Sequence, residues 1–186
     1  EIVLPEMLYE QVIEVEERCT ATGEIIQPLN RDRLREQFQA AYHAGIRSCA
    51  IVFMHGYRYP QHEAIAAEIA QEIGSSQISV SHQVTPQIKL VSRGDTTVVD
   101  AYLSPILKRY VEQVAAELAK GAEHLRPQIR QRLMFMQSNG GLVDAEQFQG
   151  KDSILSGPAG GIVGAVQTSL RAGFDKIVSF DMGGTS

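Results

Sequence analysis

Between residues 30 and 82 the hydrophobic period switches repeatedly from helical to strand-like, and this succession most narrows what the chain can fold into. Asn30 is placed to cap a helix whose Leu34, Phe38 and Ala41 recur at three- and four-residue spacing, and Gly45 stands where a left-handed residue would end it. Residues 48–54 form a nearly unbroken apolar run, the pattern of a strand covered on both faces and a candidate central strand of a parallel sheet. The loop His55-Gly56-Tyr57-Arg58-Tyr59 leads to Pro60, a favoured first helical residue, after which Ile65, Ile69 and Ile73 share one face up to Gly74. Ile78-Ser79-Val80-Ser81-His82 then alternates as a short strand. Helix, strand, helix and strand in this order predict an α/β fold.

The flanking segments extend the pattern. Val12-Ile13-Glu14-Val15-Glu16 and Glu24-Ile25-Ile26, joined through Ala21-Thr22-Gly23, predict a hairpin. Residues 83–95, with Pro86 and Gly94, read as a connector and mark the softest boundary in the chain. Residues 96–120 hold helical spacing through Val99, Leu103, Leu107, Tyr110, Val114 and Leu118, with a break expected near Ser104 because Pro105 has no N–H to donate. Residues 133–136 predict a buried strand. Residues 157–161 lead into a small-residue helix through Val163, Val166 and Leu170, and Ile177-Val178-Ser179-Phe180 predicts a last strand. The chain opens without an initiator methionine and stops just after that run, so both ends are expected to be cuts in a longer polypeptide, inactive as an isolated piece.

Composition excludes several classes. With 44% hydrophobic and 21% charged residues the chain has the make-up of an ordinary globular protein, not a disordered one. Its 22 acids outweigh 17 bases without a basic cluster, which argues against nucleic acid as a partner. No apolar run approaches the ~20 residues of a spanning helix, so no membrane segment is expected. Cys19 and Cys49 show no paired motif, which points to a reducing, cytoplasmic setting. His55, His62 and Glu63 match no zinc spacing and are expected to anchor a loop.

The candidate chemistry concentrates at Phe180-Asp181-Met182-Gly183-Gly184-Thr185-Ser186. A strand that delivers Asp181 to a sheet edge, followed by glycines whose backbone N–H groups can approach phosphate oxygens, suits a nucleotide site; Thr185 or Ser186 adds a hydroxyl donor. Asp181 would then orient magnesium, through water, since that ion takes oxygen ligands from protein, solvent and phosphate together. A plain β-turn at Gly183-Gly184 fits the spacing equally well. Ser138-Asn139-Gly140-Gly141 is a secondary candidate, as an anion-binding turn or as a hairpin turn. Arg93, Asp95 and Thr96 place charge and hydroxyl before the long helix, where Asp95 or Thr96 serves equally as an N-cap. Gly160, Gly161, Gly164 and Ala165 would let another element approach that helix closely.

Several blocks, taken together and in order, carry a resemblance along essentially the whole chain. They are Ala50-Ile51-Val52-Phe53-Met54-His55-Gly56-Tyr57, Pro60-Gln61-His62-Glu63, Ser79-Val80-Ser81-His82, residues 93–103, 136–142 and 156–164, and Phe180 to Ser186. The chain resembles the hydantoinase A and 5-oxoprolinase family, the bacterial ATP-hydrolysing 5-oxoprolinases in particular. The resemblance implies part of an actin-like (ribonuclease H-like) ATPase fold, with a mixed or parallel sheet flanked by helices. It places residues 1–92 in the later part of the N-terminal lobe. Residues 93–186 fall in the crossing helices and the start of the next lobe, cut within the second phosphate loop.

The same resemblance implies an enzyme that uses ATP and magnesium to open the lactam of 5-oxo-L-proline to L-glutamate, by phosphorylation of the amide oxygen. Asp181 would be the catalytic and metal-orienting residue, and Gly183, Gly184, Thr185 and Ser186 would hold phosphate. Ser138, Asn139, Gly140, Gly141, Arg93, Asp95 and Thr96 are weaker candidates for substrate contact. A hydantoinase B-like domain or subunit and a homo-oligomer of the full protein are the expected partners. Related activities on hydantoins or on ketones for carboxylation, and a non-catalytic actin-like ATPase switch, are the alternatives.

Overall fold

The computed structural model describes residues 6–182, apart from the side chains of residues 130 and 131. Gly183, Gly184, Thr185 and Ser186 therefore lie outside the described residues. The chain divides into two compact units, residues 1–106 and 107–186.

The first unit opens with an antiparallel hairpin of β1 (Arg18–Cys19) and β2 (Ile25–Gln27). The turn closes through Thr20 N donating to Glu24 O at 2.8 Å, and Gly23 takes φ +92°, where a side chain would be strained. The hairpin expected here is present, but its first strand starts at Arg18 and not at residue 12. The alternation of residues 12–16 is expressed as burial alone: Ile13 and Val15 pack on the core while Val12 stays exposed. No ladder forms there, and the Glu16 carbonyl instead accepts from Asn30 N.

Helix α1 (Arg31–His43) is capped by Asn30, whose side chain accepts from Arg33 N at 3.2 Å, and Gly45 follows it at φ +101°. Strand β3 (Ser48–Ile51), helix α2 (Gln61–Ile73) and strand β4 (Gln77–Val80) make a βαβ unit with the two strands parallel, Ser48 opposite Gln77 and Ile51 opposite Val80. Pro60 and Gly74 bound α2 as the sequence predicts. Leu34, Ile51, Ala66, Ile69 and Val80 form the buried core, joined by Phe38, Ile65, Ile73 and Ile78. The central-strand expectation for β3 needs correction, because among the described residues β3 pairs with β4 alone.

The short α3 (Ser81–Val84) precedes α4 (Leu90–Leu118), a 29-residue helix. It corrects two expectations. The helix starts inside the segment read as a connector, and it passes Pro105 without a break at Ser104. Proline removes one N–H from the ladder, at a cost of about 3 kcal/mol. Buried Ala101, Val111, Ala115 and Ala119 on either side of it show that packing outweighs that local cost.

In the second unit, η1 (Glu123–Leu125) and α5 (Arg126–Arg132) lead to an antiparallel hairpin of β5 (Met134–Met136) and β6 (Leu142–Asp144). Phe135 stacks on Phe148 at 5.1 Å and meets Tyr110 edge-on at 6.3 Å. After α6 (Gly150–Ser153), helix α7 (Ser156–Arg171) packs on β5, with Gly160 facing Met136. A Cβ at Gly161 or Gly164 would meet nothing within 4 Å, so of the expected close-packing glycines only Gly160 is used among the described residues. The strand predicted at residues 177–180 does not form: Val178 is 98% and Phe180 85% exposed. A strand exists only through a neighbour, and none of the described strands lies beside this run.

Candidate functional site

The most connected polar group of the first unit is Arg93, in the first turn of α4 and fully buried. Its Nε donates to Ser81 Oγ at 2.9 Å. Nη1 donates to the carbonyls of Gln87 (2.6 Å) and Ile88 (3.2 Å), and Nη2 to those of Phe53 (2.5 Å) and Met54 (3.1 Å). The guanidinium also lies 5.5 Å from the centre of the Tyr57 ring. One side chain thus ties α4 to the loop after β3 and to the segment before α4.

Arg93 is matched by Glu63 of α2, likewise 0% exposed. Glu63 Oε1 accepts from Phe53 N (2.9 Å) and Ser81 Oγ (2.5 Å), and Oε2 accepts from His82 N (3.0 Å) with His82 Nδ1 at 2.7 Å. Since Ser81 Oγ donates to Glu63 and accepts from Arg93, it relays one charged group to the other. Removing one partner from such a buried pair costs about 3–5 kcal/mol, which is why the set persists only when complete. A Cβ at Gly56 would overlap the Glu63 carboxylate, so this loop position requires glycine. The loop-anchoring role expected for Glu63 is what the geometry shows.

A second polar layer continues along the same strand face. Gln77 Nε2 donates to Ser79 Oγ, which donates to Asp100 Oδ2 at 2.7 Å, and Ser104 Oγ donates to Asp100 Oδ1. Ser79, Ser81 and Asp100 were absent from the sequence candidates. Their signal is one of spacing: Arg93, Thr97, Asp100 and Ser104 recur at helical intervals, and Gln77, Ser79 and Ser81 at strand intervals, so two polar stripes meet.

The other candidates stand apart. Asp95 is exposed and Thr96 Oγ1 donates to Ser92 O at 2.8 Å; both lie inside α4, so neither is an N-cap. In the second unit, Ser138, Asn139, Gly140 and Gly141 form the β5–β6 turn. Gly140 has φ +83° and donates to Gln137 O, while Gly141 N donates to Asn139 Oδ1 and Ser138 N to Asp152 O. These amides are spent inside the protein, as a hairpin turn demands. Ser138 Oγ further donates to Asp152 O and accepts from Leu155 N, tying the turn to the start of α7. Asp181 is exposed, beyond α7.

A groove of about 830 Å³ runs along β3, lined by every residue of that strand and none of β4, with Phe38, Leu90, Val98 and Tyr102 beside it and Asp95 at its margin. Among the described residues no helix is long and apolar enough to cross a membrane.

Comparison with known proteins extends this picture. Residues 93–186 match the family model described as hydantoinase/oxoprolinase, and residues 1–74 match that of the hydantoinase/oxoprolinase N-terminal region. The 5-oxoprolinase of Saccharomyces cerevisiae is 36% identical over 96% of this chain and 16% of its own length, a eukaryotic relative where a bacterial one was expected. The crystal structure of the ATP-dependent caprolactamase from Pseudomonas jessenii superimposes with a TM-score of 0.75 at 29% identity, covering 92% of this chain and 24% of that one. A nucleotide-free acetone carboxylase shares the fold, with a TM-score of 0.69 at 22% identity over 86% of this chain and 22% of that one. The chain thus spans about a sixth of the length of the curated relative and about a quarter of the solved ones.

Proposed function

The chain belongs to the hydantoinase/oxoprolinase family, and from that membership we infer that it is part of an ATP-dependent amidohydrolase that opens the lactam of 5-oxo-L-proline to L-glutamate. The observation that carries this reading is the 36% identity to a 5-oxoprolinase over nearly the whole chain. The likeness to a caprolactamase described as ATP-dependent supports energy-coupled opening of a cyclic amide. Coupling is chemically apt, because a lactam carbonyl is deactivated by resonance with nitrogen, and phosphorylation of its oxygen makes the carbon open to water. In this reading the two units are parts of an actin-like ATPase fold, and the groove along β3 is covered by the remainder of the longer protein, as exposed strand edges usually are.

Asp181 is the described residue assigned to the nucleotide site, followed by Gly183, Gly184, Thr185 and Ser186 as phosphate contacts. A single exposed carboxylate fits magnesium, which keeps several waters and takes phosphate oxygens with one or two protein carboxylates. Among the described residues no group of three or more His, Cys, Asp or Glu is placed to hold a metal alone. Magnesium bound there would neutralise charge on the transferring phosphate. Asp181 would orient it, and the glycine amides and hydroxyls would fix the phosphate for reaction. A hydantoinase B-like domain or subunit completes the enzyme in this proposal; a 32% identical relative is named caprolactamase subunit alpha.

The test is phosphate release by the full-length protein, with any partner subunit, with and without 5-oxo-L-proline. Lactam-dependent release that yields glutamate and falls by about 100-fold or more in Asp181→Ala supports function and site together. Turnover that ignores the lactam but answers to a hydantoin or ketone moves the assignment within the family, and turnover that answers to no small substrate favours an ATPase switch. Turnover unchanged in Asp181→Ala overturns the site.

A further inference from the structure

The chain holds two asparagines, Asn30 and Asn139, and only the second is followed by glycine. Asn139 is exposed in the β5–β6 turn. Gly140 N donates to Gln137 O at 2.9 Å and Gln137 N to Gly141 O at 2.8 Å, so the loop is Ser138, Asn139 and Gly140, with Gly140 at φ +83°. An asparagine before glycine carries an internal electrophile. The following backbone nitrogen can reach its Cγ through a five-membered ring, and glycine has no side chain to hinder that nitrogen.

The turn holds each atom that this ring closure must move. The nucleophile, Gly140 N, is bonded to Gln137 O. The carboxamide oxygen, Oδ1, accepts from Gly141 N at 2.8 Å, and the departing nitrogen, Nδ2, lies 3.5 Å from Gln137 Oε1. A Cβ at Gly141 would come within 3.1 Å of Asn139 Oδ1, so the carboxamide is folded down on the backbone that follows it. Nucleophile and electrophile are thus kept together, and neither is free to react. What secures the turn is modest. Strands β5 and β6 are three residues each, a ladder that is marginal by itself, and Ser138 adds bonds to Asp152 O and from Leu155 N.

We propose that Asn139–Gly140 is a self-modification site, at which opening of the turn allows a succinimide to form and isoaspartate to follow. Gly140 N loses its proton to solvent base and bonds to Asn139 Cγ; the Cγ–Nδ2 bond breaks, and ammonia leaves with a proton returned from solvent. One water then opens the ring. Cleavage between Cγ and Gly140 N gives aspartate, and cleavage between the Asn139 carbonyl carbon and Gly140 N gives isoaspartate, whose main chain runs through Cβ and Cγ. That longer path breaks the three-residue turn and loosens the hold of Ser138 on the start of α7. Asn30 is spared, because the Arg31 side chain crowds the attacking nitrogen and Asn30 Oδ1 caps α1 through Arg33 N. The lactam-opening activity plays no part in this inference.

The full-length protein is aged in mildly alkaline buffer, and trypsin then releases residues 133–151, in which Asn139 is the sole asparagine. Conversion is read as the mass gain of amide-to-acid replacement, and isoaspartate by methyl transfer from an isoaspartate-directed carboxyl methyltransferase. A synthetic peptide of the same residues is the reference without a turn. The protein should convert about 10- to 100-fold more slowly than the peptide, the open fraction of a turn held by two or three such hydrogen bonds. Ser138→Ala, which frees the turn from residues 152 and 155, should speed conversion at least about fivefold. Conversion at the peptide's rate, or a rate unchanged by Ser138→Ala, overturns the gate. Aged protein without isoaspartate at Asn139, or Asn30 converting as fast as Asn139, overturns the site.

Discussion

Replacing Arg93 with lysine keeps the charge and much of the length of the side chain, so it isolates what the planar fork contributes. The guanidinium reaches Ser81 Oγ in one direction, the carbonyls of Phe53 and Met54 in a second and those of Gln87 and Ile88 in a third. An ammonium offers its donors from a single point and cannot serve all three. Each buried group left without a partner costs about 1–3 kcal/mol, so losing two gives about 2–6 kcal/mol. At about 1.4 kcal/mol per factor of ten, local opening rises roughly 30- to 20,000-fold. Hydrogen exchange read by mass spectrometry on the full-length protein is the assay, because it reports local opening free energies. Peptides covering residues 50–60 and 77–90 should exchange faster by at least about 30-fold, while those covering residues 134–144 should not change. Exchange altered by less than about threefold would refute the clamp assigned to Arg93. Unchanged exchange with a raised KM for the lactam would make Arg93 a substrate contact.

Gly56→Ala sets a methyl against the buried Glu63 carboxylate and should destabilise the loop by about 3 kcal/mol or more, seen as faster exchange in the same peptides; near-wild-type protection there would contradict the packing described. Cys49, held up to about 11 by burial that outweighs the Ser75 hydrogen bond, should alkylate slowly at pH 8 and gain rate as pH climbs. The folded thiol keeps its proton where the unfolded one has lost it. This group's stabilisation is therefore complete below about pH 9 and declines toward pH 11, by about 1.4 kcal/mol per unit, a slope that Cys49→Ala should remove. Ser138→Ala deletes a donor to Asp152 O and an acceptor for Leu155 N. It should loosen the β5–β6 turn by about 1–3 kcal/mol with the lactam KM unchanged, and a KM effect without a change in exchange would restore the turn as a substrate site.

Local chemistry was the most legible part of the molecule. Asn30, Gly45, Pro60 and Gly74 mark the ends of α1 and α2 because a cap satisfies backbone groups within a few residues of itself. Residues 12–16 and 177–180 read as strands but form none, since alternation announces a face and not a pairing partner. Pro105 predicts a break in α4, but the helix runs through it because packing on both sides overrides the local cost. Of the candidate site residues, Arg93 was found through its charge. Its buried setting could not be foreseen, because Glu63 and Ser81 lie 30 and 12 positions away and converge only through the parallel pairing of β3 and β4 and the return of α4.

The amino-acid sequence by itself determined the α/β character, the βαβ unit, the ends of α1 and α2 and, through ordered blocks along the chain, the family. These depend on periodicity and on short-range hydrogen bonding, which neighbouring residues encode. Tertiary structure alone decided that Arg93 and Glu63 are joined through Ser81 and that Gly56 must lack a side chain. Burial makes unpaired polar groups costly, and only the folded chain brings their distant partners within hydrogen-bonding reach.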